Sequence, residues 1–176
     1  MKITPTRMHG AYIIESEVHQ DDRGSFVRTF CREEFTRAGL SVDLVQCNVS
    51  FNRRRGTLRG MHYQDAPYPE GKLVCCTRGR VHDVIIDLRP NSDTYCQWFG
   101  LDLSEDNANA LFIPPGFAHG FQTLADSTQV FYHMTQAYYA KLARGVRWND
   151  PAFGIAWPLP DPVMSARDAA FADFVP

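Results

Sequence analysis

Between Arg80 and Arg89 the chain alternates, with His82, Val84, Ile86 and Leu88 on one parity and Val81, Asp83, Ile85 and Asp87 on the other. A two-residue period sends successive side chains to opposite faces, so this segment predicts a β-strand. The same period recurs at Phe99, Leu101 and Leu103, and again at Val130, Tyr132 and Met134. Turn formers divide the runs at Arg78-Gly79, Pro90-Asn91-Ser92-Asp93 and Pro114-Pro115-Gly116. Several short strands at close spacing predict an all-β sandwich or barrel and argue against alternating strand and helix units. Helix is confined to two short candidates. Arg32 to Gly39 is ended by its glycine, and Ser165 to Phe174 has Ser165 as N-cap with Asp168 in the first turn.

Composition narrows the class. No repeat, linker or compositional break divides the 176 residues, so a single domain over 1–176 is expected, large enough to bury a core without staples. A net charge of -2 gives no reason for a nucleic-acid partner, and Arg53-Arg54-Arg55 is too short a basic stripe to supply one. No apolar run is long enough to span a membrane, and Met1-Lys2-Ile3-Thr4-Pro5 has no apolar signal core. Cys31, Cys47, Cys75, Cys76 and Cys96 are odd in number and lack metal-type spacing. Free thiols in the cytoplasm fit them best. In a strand, the adjacent Cys75 and Cys76 would point to opposite faces.

A β barrel with an open mouth holds small molecules, which directs attention to polar residues on inward faces. Tyr132 lies between Val130 and Met134, and Asp83 between Val81 and Ile85. Burying an unpaired carboxylate is costly, so Asp83 needs a partner. The segment with the most chemistry is Arg59-Gly60-Met61-His62-Tyr63-Gln64, followed by Lys72-Leu73-Val74. It sets an imidazole between an arginine and a lysine, with only Glu70 as acidic company. Imidazole titrates near neutrality and suits proton abstraction, while a guanidinium offers a planar fork to phosphates. The pattern suggests a base working on an anionic small molecule. Taken singly, His62 would be a packed or surface histidine, His119 structural or a metal ligand, Lys72 a surface cation, and Asp168 a favourable charge at a helix start. Their joint occurrence carries the reading.

With these residues in order, the chain resembles the dTDP-4-dehydrorhamnose 3,5-epimerase family over nearly its whole length. The matching segments are Asp22-Arg23-Gly24; Gln46, Asn48 and Ser50; Gly56 to Gln64; Lys72 to Val74; Asp83 with Asp87-Leu88-Arg89; and Ile113 to Phe121. Tyr132, Tyr138-Tyr139, Gly145, Trp148-Asn149-Asp150-Pro151, Ile155, Trp157-Pro158, Ser165 and Asp168 complete them. The resemblance implies an all-β jelly-roll (cupin-like) β-barrel with short flanking helices, usually a homodimer. It implies an epimerase, with no metal or organic cofactor, acting on a nucleotide-diphosphate-linked 4-keto-6-deoxy sugar. By similarity His62 is the base, Asp168 its orienting carboxylate, Tyr132 the acid on the opposite sugar face, and Lys72 the stabiliser of the enolate oxygen. Arg23, Arg59, Gln46, Asn48 and His119 would hold the substrate, and Tyr138 would stack on the nucleobase. Asp83, Arg28 and Arg167 join the substrate-binding set.

Four positions depart from the family pattern. Arg28 and Ala143 stand where glutamates are usual, both near the nucleobase in that family. Glu70 stands for a glutamine and Arg167 for a lysine. A guanidinium in place of a carboxylate exchanges an acceptor for a donor, which leaves room for a CDP- or GDP-linked sugar or for inversion at one carbon only. Two other classes compete. A metal-dependent cupin would use His62 and His119, but Tyr63 and Gln64 occupy the following ligand positions. A non-catalytic sugar-nucleotide binding module would need neither a base nor an acid.

Overall fold

The computed structural model describes residues 1–175. It is mostly sheet. The larger sheet has six strands: β1 (Lys2–Pro5), β2 (Tyr12–Glu15), β10 (Asn109–Ile113), β7 (Lys72–Arg78), β12 (Thr128–Met134) and β5 (Gln46–Asn52), in that spatial order. The smaller has five: β13 (Ala143–Gly145), β6 (Leu58–Gln64), β11 (Phe117–Thr123), β8 (Arg80–Asp87) and β9 (Trp98–Ser104). All pairings within them are antiparallel. A separate hairpin, β3 (Val18–Asp21) with β4 (Gly24–Val27), pairs only with itself.

The alternation along the chain becomes a core between the two sheets. Val74, Leu111 and Val130 from the larger sheet meet Val81, Ile85, Leu103 and Phe121 from the smaller. Phe99 and Leu101 of β9 pack at its edge. The opposite parity of β8 is buried as well. Val84 and Ile86 face outward under a C-terminal segment that contributes Val146, Phe153, Ile155 and Trp157. Each fully buried aliphatic side chain is worth about 1.5–3 kcal/mol, against ~0–1 for a surface ion pair, so these layers hold the fold. Cys76 faces the inter-sheet core and Cys75 the outer cluster around Phe35, so the adjacent pair does split across the sheet. All five cysteines are free thiols. Burial pushes Cys75 up to about 11 and Cys76 up to about 12.

Both helices are shorter than their sequence patterns predict. The first, α1, covers Arg32–Arg37 and buries Phe35 in the outer cluster, with Gly39 at positive φ just beyond it. The second, α2, is only Ala166–Ala169, although Ser165 does cap it by accepting from the Asp168 N–H at 3.1 Å. Beyond it the aromatic residues dock individually: Phe171 sits against Gly145, and Phe174 packs at a tilt on Phe153 with 5.2 Å between centroids. Those docking contacts replace further helical turns.

One buried charge cluster closes the turn after β8. Asp87, with no exposed surface, accepts from the Arg89 backbone N–H and guanidinium and from the hydroxyls of Ser92 (2.6 Å) and Thr94 (2.6 Å). Burial pushes the carboxyl up, but the donors outweigh it and hold Asp87 down at about 2. A carboxyl depressed in the folded state stabilises above its unfolded pKa and loses that contribution as pH falls through the folded value. Asp87 should therefore contribute ~2 kcal/mol at neutral pH, lost between about pH 4 and pH 2. Replacing Asp87 by alanine should cost about 3 kcal/mol at pH 7, since Arg89, Ser92 and Thr94 lose their shared acceptor. Urea unfolding at pH 7 and pH 2.5 checks both statements: the difference between wild type and variant should shrink in acid.

Candidate active site

A cavity of roughly 270 Å³ opens between the sheets, lined on one side by β5, β7 and β12 and on the other by β6 and β11. Its chemistry depends on an irregularity in β6. His119 of β11 pairs with His62, but Phe121 pairs with Arg59, so Gly60 and Met61 together oppose Gly120. In a regular strand Arg59 and His62, three residues apart, would point to opposite faces. The extra residue of this bulge turns both onto the cavity face, where they line it with His119 and Phe121. Only glycine fits there. Gly60 has φ +139, and a Cβ on it would lie 2.5 Å from the Cα of Gly120. A Cβ on Gly120 would fall 2.6 Å from the Met61 Sδ.

Two histidine–carboxylate pairs stand side by side on this sheet. His62 Nε2 lies 2.8 Å from Asp168 Oδ1, and His119 Nε2 lies 2.8 Å from Asp83 Oδ1. Asp83, inward as its parity implies, thus finds its partner in His119; its second oxygen has none among the described residues. His62 is the accessible one of the two, with 39% of its side chain exposed against 6% for His119. Asp168 reaches His62 because the C-terminal segment is stitched back onto β6. Leu58 N–H donates to the Val163 carbonyl, Val163 N–H to the Gly56 carbonyl, and the Gln122 amide makes two 2.9 Å bonds with Leu159. Burial pushes the Asp168 carboxyl up, but His62, the Gly60 N–H and the Ser165 hydroxyl outweigh it and leave it below the usual carboxylate value. It therefore stays ionised beside the imidazole at neutral pH.

Across the cavity, Tyr132 stands on β12 of the opposite sheet. Burial pushes its phenol above the ordinary value, while Ser50 and Arg59 pull the other way. Lys72, at the start of β7, is 7% exposed, with Nζ 3.1 Å from Glu70 Oε1 and 3.4 Å from the His62 carbonyl. Gln46 and Asn48 share the inner face of β5, linked at 3.3 Å, and the Gln46 side chain accepts from the Tyr138 N–H. Tyr138 itself is about half exposed at the cavity mouth.

The cavity therefore gathers Gln46, Asn48, Arg59, His62, Lys72, His119, Tyr132, Tyr138 and Arg167 from the sequence-predicted set. Asp168 and Asp83 stand behind its two histidines. Arg23 and Arg28 lie elsewhere. Arg23 sits 90% exposed at the hairpin, paired with Asp21, and Arg28 pairs with Glu34. Neither lines the cavity of this chain. Sequence reasoning missed Arg144, which reaches the cavity from the three-residue β13 on the edge of β6. A strand that short leaves no readable period. Among the described residues, no three His, Cys, Asp or Glu side chains converge as a metal-binding set.

Comparison with known proteins bears on what this cavity does. A family model described as dTDP-4-dehydrorhamnose 3,5-epimerase matches residues 5–175. The chain belongs to the dTDP-4-dehydrorhamnose 3,5-epimerase family. One curated relative of that name, from Methanothermobacter thermautotrophicus, is 47% identical over 93% of this chain and 89% of its own. The solved dTDP-4-dehydrorhamnose 3,5-epimerase of Bacillus anthracis, with TDP and pyrophosphate bound, superposes with a TM-score of 0.95 at 38% identity, covering 98% of this chain and 99% of that one. The Legionella pneumophila dTDP-6-deoxy-D-glucose-3,5-epimerase, in complex with dTDP-4-keto-L-rhamnose, gives 0.91 at 37% identity over 97% and 90%. Membership in this epimerase family makes the chain an isomerase by descent, and no helix of the described residues is long and apolar enough to cross a membrane.

Proposed function

We propose that this chain epimerises a nucleotide-diphosphate-linked 4-keto-6-deoxy sugar, inverting C3, C5 or both through an enolate. The carrying observation is that His62 and Tyr132 line one cavity from opposite sheets, with Lys72 also in its lining and Asp168 behind His62. Hydrogens on C3 and C5 flank the C4 ketone, so losing either one as a proton delocalises the electron pair onto oxygen. His62 takes the proton through the ring nitrogen not held by Asp168, and Asp168 supports the imidazolium that forms. Lys72 stabilises charge that appears on the carbonyl oxygen only during reaction. Tyr132, kept protonated by burial, returns a proton to the opposite face of the carbon and leaves it inverted. Arg59 and Arg167, with Arg144, supply fixed cations for the diphosphate, and Tyr138 offers a ring to the base.

The chain works as one jelly-roll, cupin-like domain in the cytoplasm, without metal or organic cofactor. Pairing as a homodimer would cover the exposed Val18 and Phe26 of the β3–β4 hairpin and the exposed Val49 and Phe51 of edge strand β5. It would also give Arg23, remote from the cavity of its own chain, a route to that of a second copy.

Thymidine is the first choice of base. Solved relatives from Bacillus anthracis and Legionella pneumophila hold TDP and a dTDP-linked sugar, while Arg28, the main departure that argued for another nucleotide, is engaged with Glu34 outside the cavity of its own chain. Turnover of dTDP- and CDP-linked 4-keto-6-deoxyglucose should favour the thymidine compound by at least about tenfold, roughly the value of one good polar contact. A preference for the cytidine compound would transfer the reading to another nucleotide.

A further inference from the structure

We infer that Glu70 determines specificity by reading, together with Lys72, an α-hydroxyketone. The ammonium takes the keto oxygen and the carboxylate accepts from the hydroxyl on the neighbouring ring carbon. This inference rests on the epimerase reading and adds to it a requirement on the sugar.

Glu70 is delivered to the cavity by a fixed loop. The Gln64 side-chain amide donates to the carbonyls of Tyr68 (2.7 Å) and Ala137 (3.0 Å), and the Gly71 N–H donates to the Thr135 hydroxyl at 2.7 Å. Between these anchors the Glu70 side chain turns inward and is only 9% exposed. It is the one carboxylate among the residues lining the cavity. Its sole partner among the described residues is Lys72 Nζ, 3.1 Å from Oε1. An ionised carboxylate offers about four acceptor positions, and a buried acceptor left unused is unfavourable. Its remaining acceptor positions have no partner among the described residues, on a side chain that lines the cavity.

The chemistry of the cavity limits what can use it. A phosphate would be repelled by Glu70 and has Arg59, Arg144 and Arg167 to receive it instead. The neutral sugar end is left for the Lys72–Glu70 wall. A carboxylate accepts only, so it selects a donor. The two oxygens of an α-hydroxyketone stand about one hydrogen-bond length apart, matching the separation of Nζ and Oε1. Polarity matches as well, since one oxygen accepts from the ammonium and the other donates to the carboxylate. In a 4-keto-6-deoxy sugar with Lys72 on the C4 oxygen, the hydroxyl so placed is that on C3. A glutamine here would offer one acceptor and a competing donor. The carboxylate makes this chain more exacting about that hydroxyl.

The test compares exchange of the C5 hydrogen with solvent deuterium for dTDP-linked 4-keto-6-deoxyglucose and its 3-deoxy counterpart. For the wild-type protein, kcat/KM should favour the hydroxylated sugar by about 10- to 100-fold, as for a hydrogen bond to a charged group. Glu70→Ala should bring the ratio to within about threefold, with the loss falling on the hydroxylated compound. Glu70→Gln, which keeps the side chain's bulk, should lie between. An unchanged ratio in both variants would overturn the inference. So would an equal loss on both sugars, which would make Glu70 a support for Lys72 alone. Exchange at C3 without exchange at C5 would leave the epimerase reading standing, and the same ratio would then be read at C3. If the wild-type protein exchanged neither the C3 nor the C5 hydrogen of the hydroxylated sugar, the epimerase reading itself would fall, and this inference with it.

Discussion

Replacing His62 by alanine should slow exchange of the C3 and C5 hydrogens with solvent by about 10³-fold, the usual contribution of a positioned general base. The expectation follows from how the residue is held. His62 is turned into the cavity by the β6 bulge, its Nε2 is engaged by a carboxylate that stays ionised, and its side chain is partly exposed in the cavity lining. Folding should survive, because the side chain is partly exposed and contributes little to the core. Asp168→Asn should lose a large part of the same rate, since an amide can favour the wrong imidazole tautomer and does not support the imidazolium. Proton NMR of a 4-keto sugar nucleotide in deuterated buffer measures both variants. Exchange within tenfold of wild type in His62→Ala would remove it as the base.

Tyr132→Phe should separate two events that the wild-type protein performs together. Phenylalanine fills the same buried volume, so His62 can still abstract and return a proton on its own face. Deuterium would enter the substrate, while formation of the inverted sugar should fall by about 10²-fold or more because no acid stands on the far side. Raised by burial, the Tyr132 phenol is protonated throughout the neutral range, which suits a donor and not a base. The check is to follow deuterium content and configuration in the same NMR sample. Inversion at an undiminished rate would assign the second proton to another group, His119 being the nearest ring at 6.5 Å between centroids.

The parts of this protein that were legible in its sequence are those governed by local rules. Alternation along β8, β9 and β12 announced sheet, and it grouped Asp83 with Val81 and Ile85, and Tyr132 with Val130 and Met134, on faces that turn inward. Ser165 announced the cap that holds Asp168. What was not legible depends on long-range geometry. The period of a strand puts Arg59 and His62 on opposite faces, and only the bulge against Gly120 unites them. The second helix is one turn long, and beyond it Phe171 and Phe174 dock on Gly145 and Phe153, contacts no local pattern encodes. Arg144 comes from a strand too short to show a period, and the Glu70–Lys72 contact depends on the path of a loop. The outward placement of Arg23 and Arg28 likewise reflects where the hairpin projects, which no pattern within it encodes.

On the epimerase reading, this cavity removes a proton from carbon beside a ketone and replaces it. Incubating the wild-type protein with dTDP-4-keto-6-deoxyglucose in deuterium oxide, and reading C3 and C5 by NMR, tests it most directly. Deuterium is expected at one or both carbons, together with an inverted centre. Tight binding of the nucleotide sugar with both hydrogens retained would contradict it and leave a binding protein in its place.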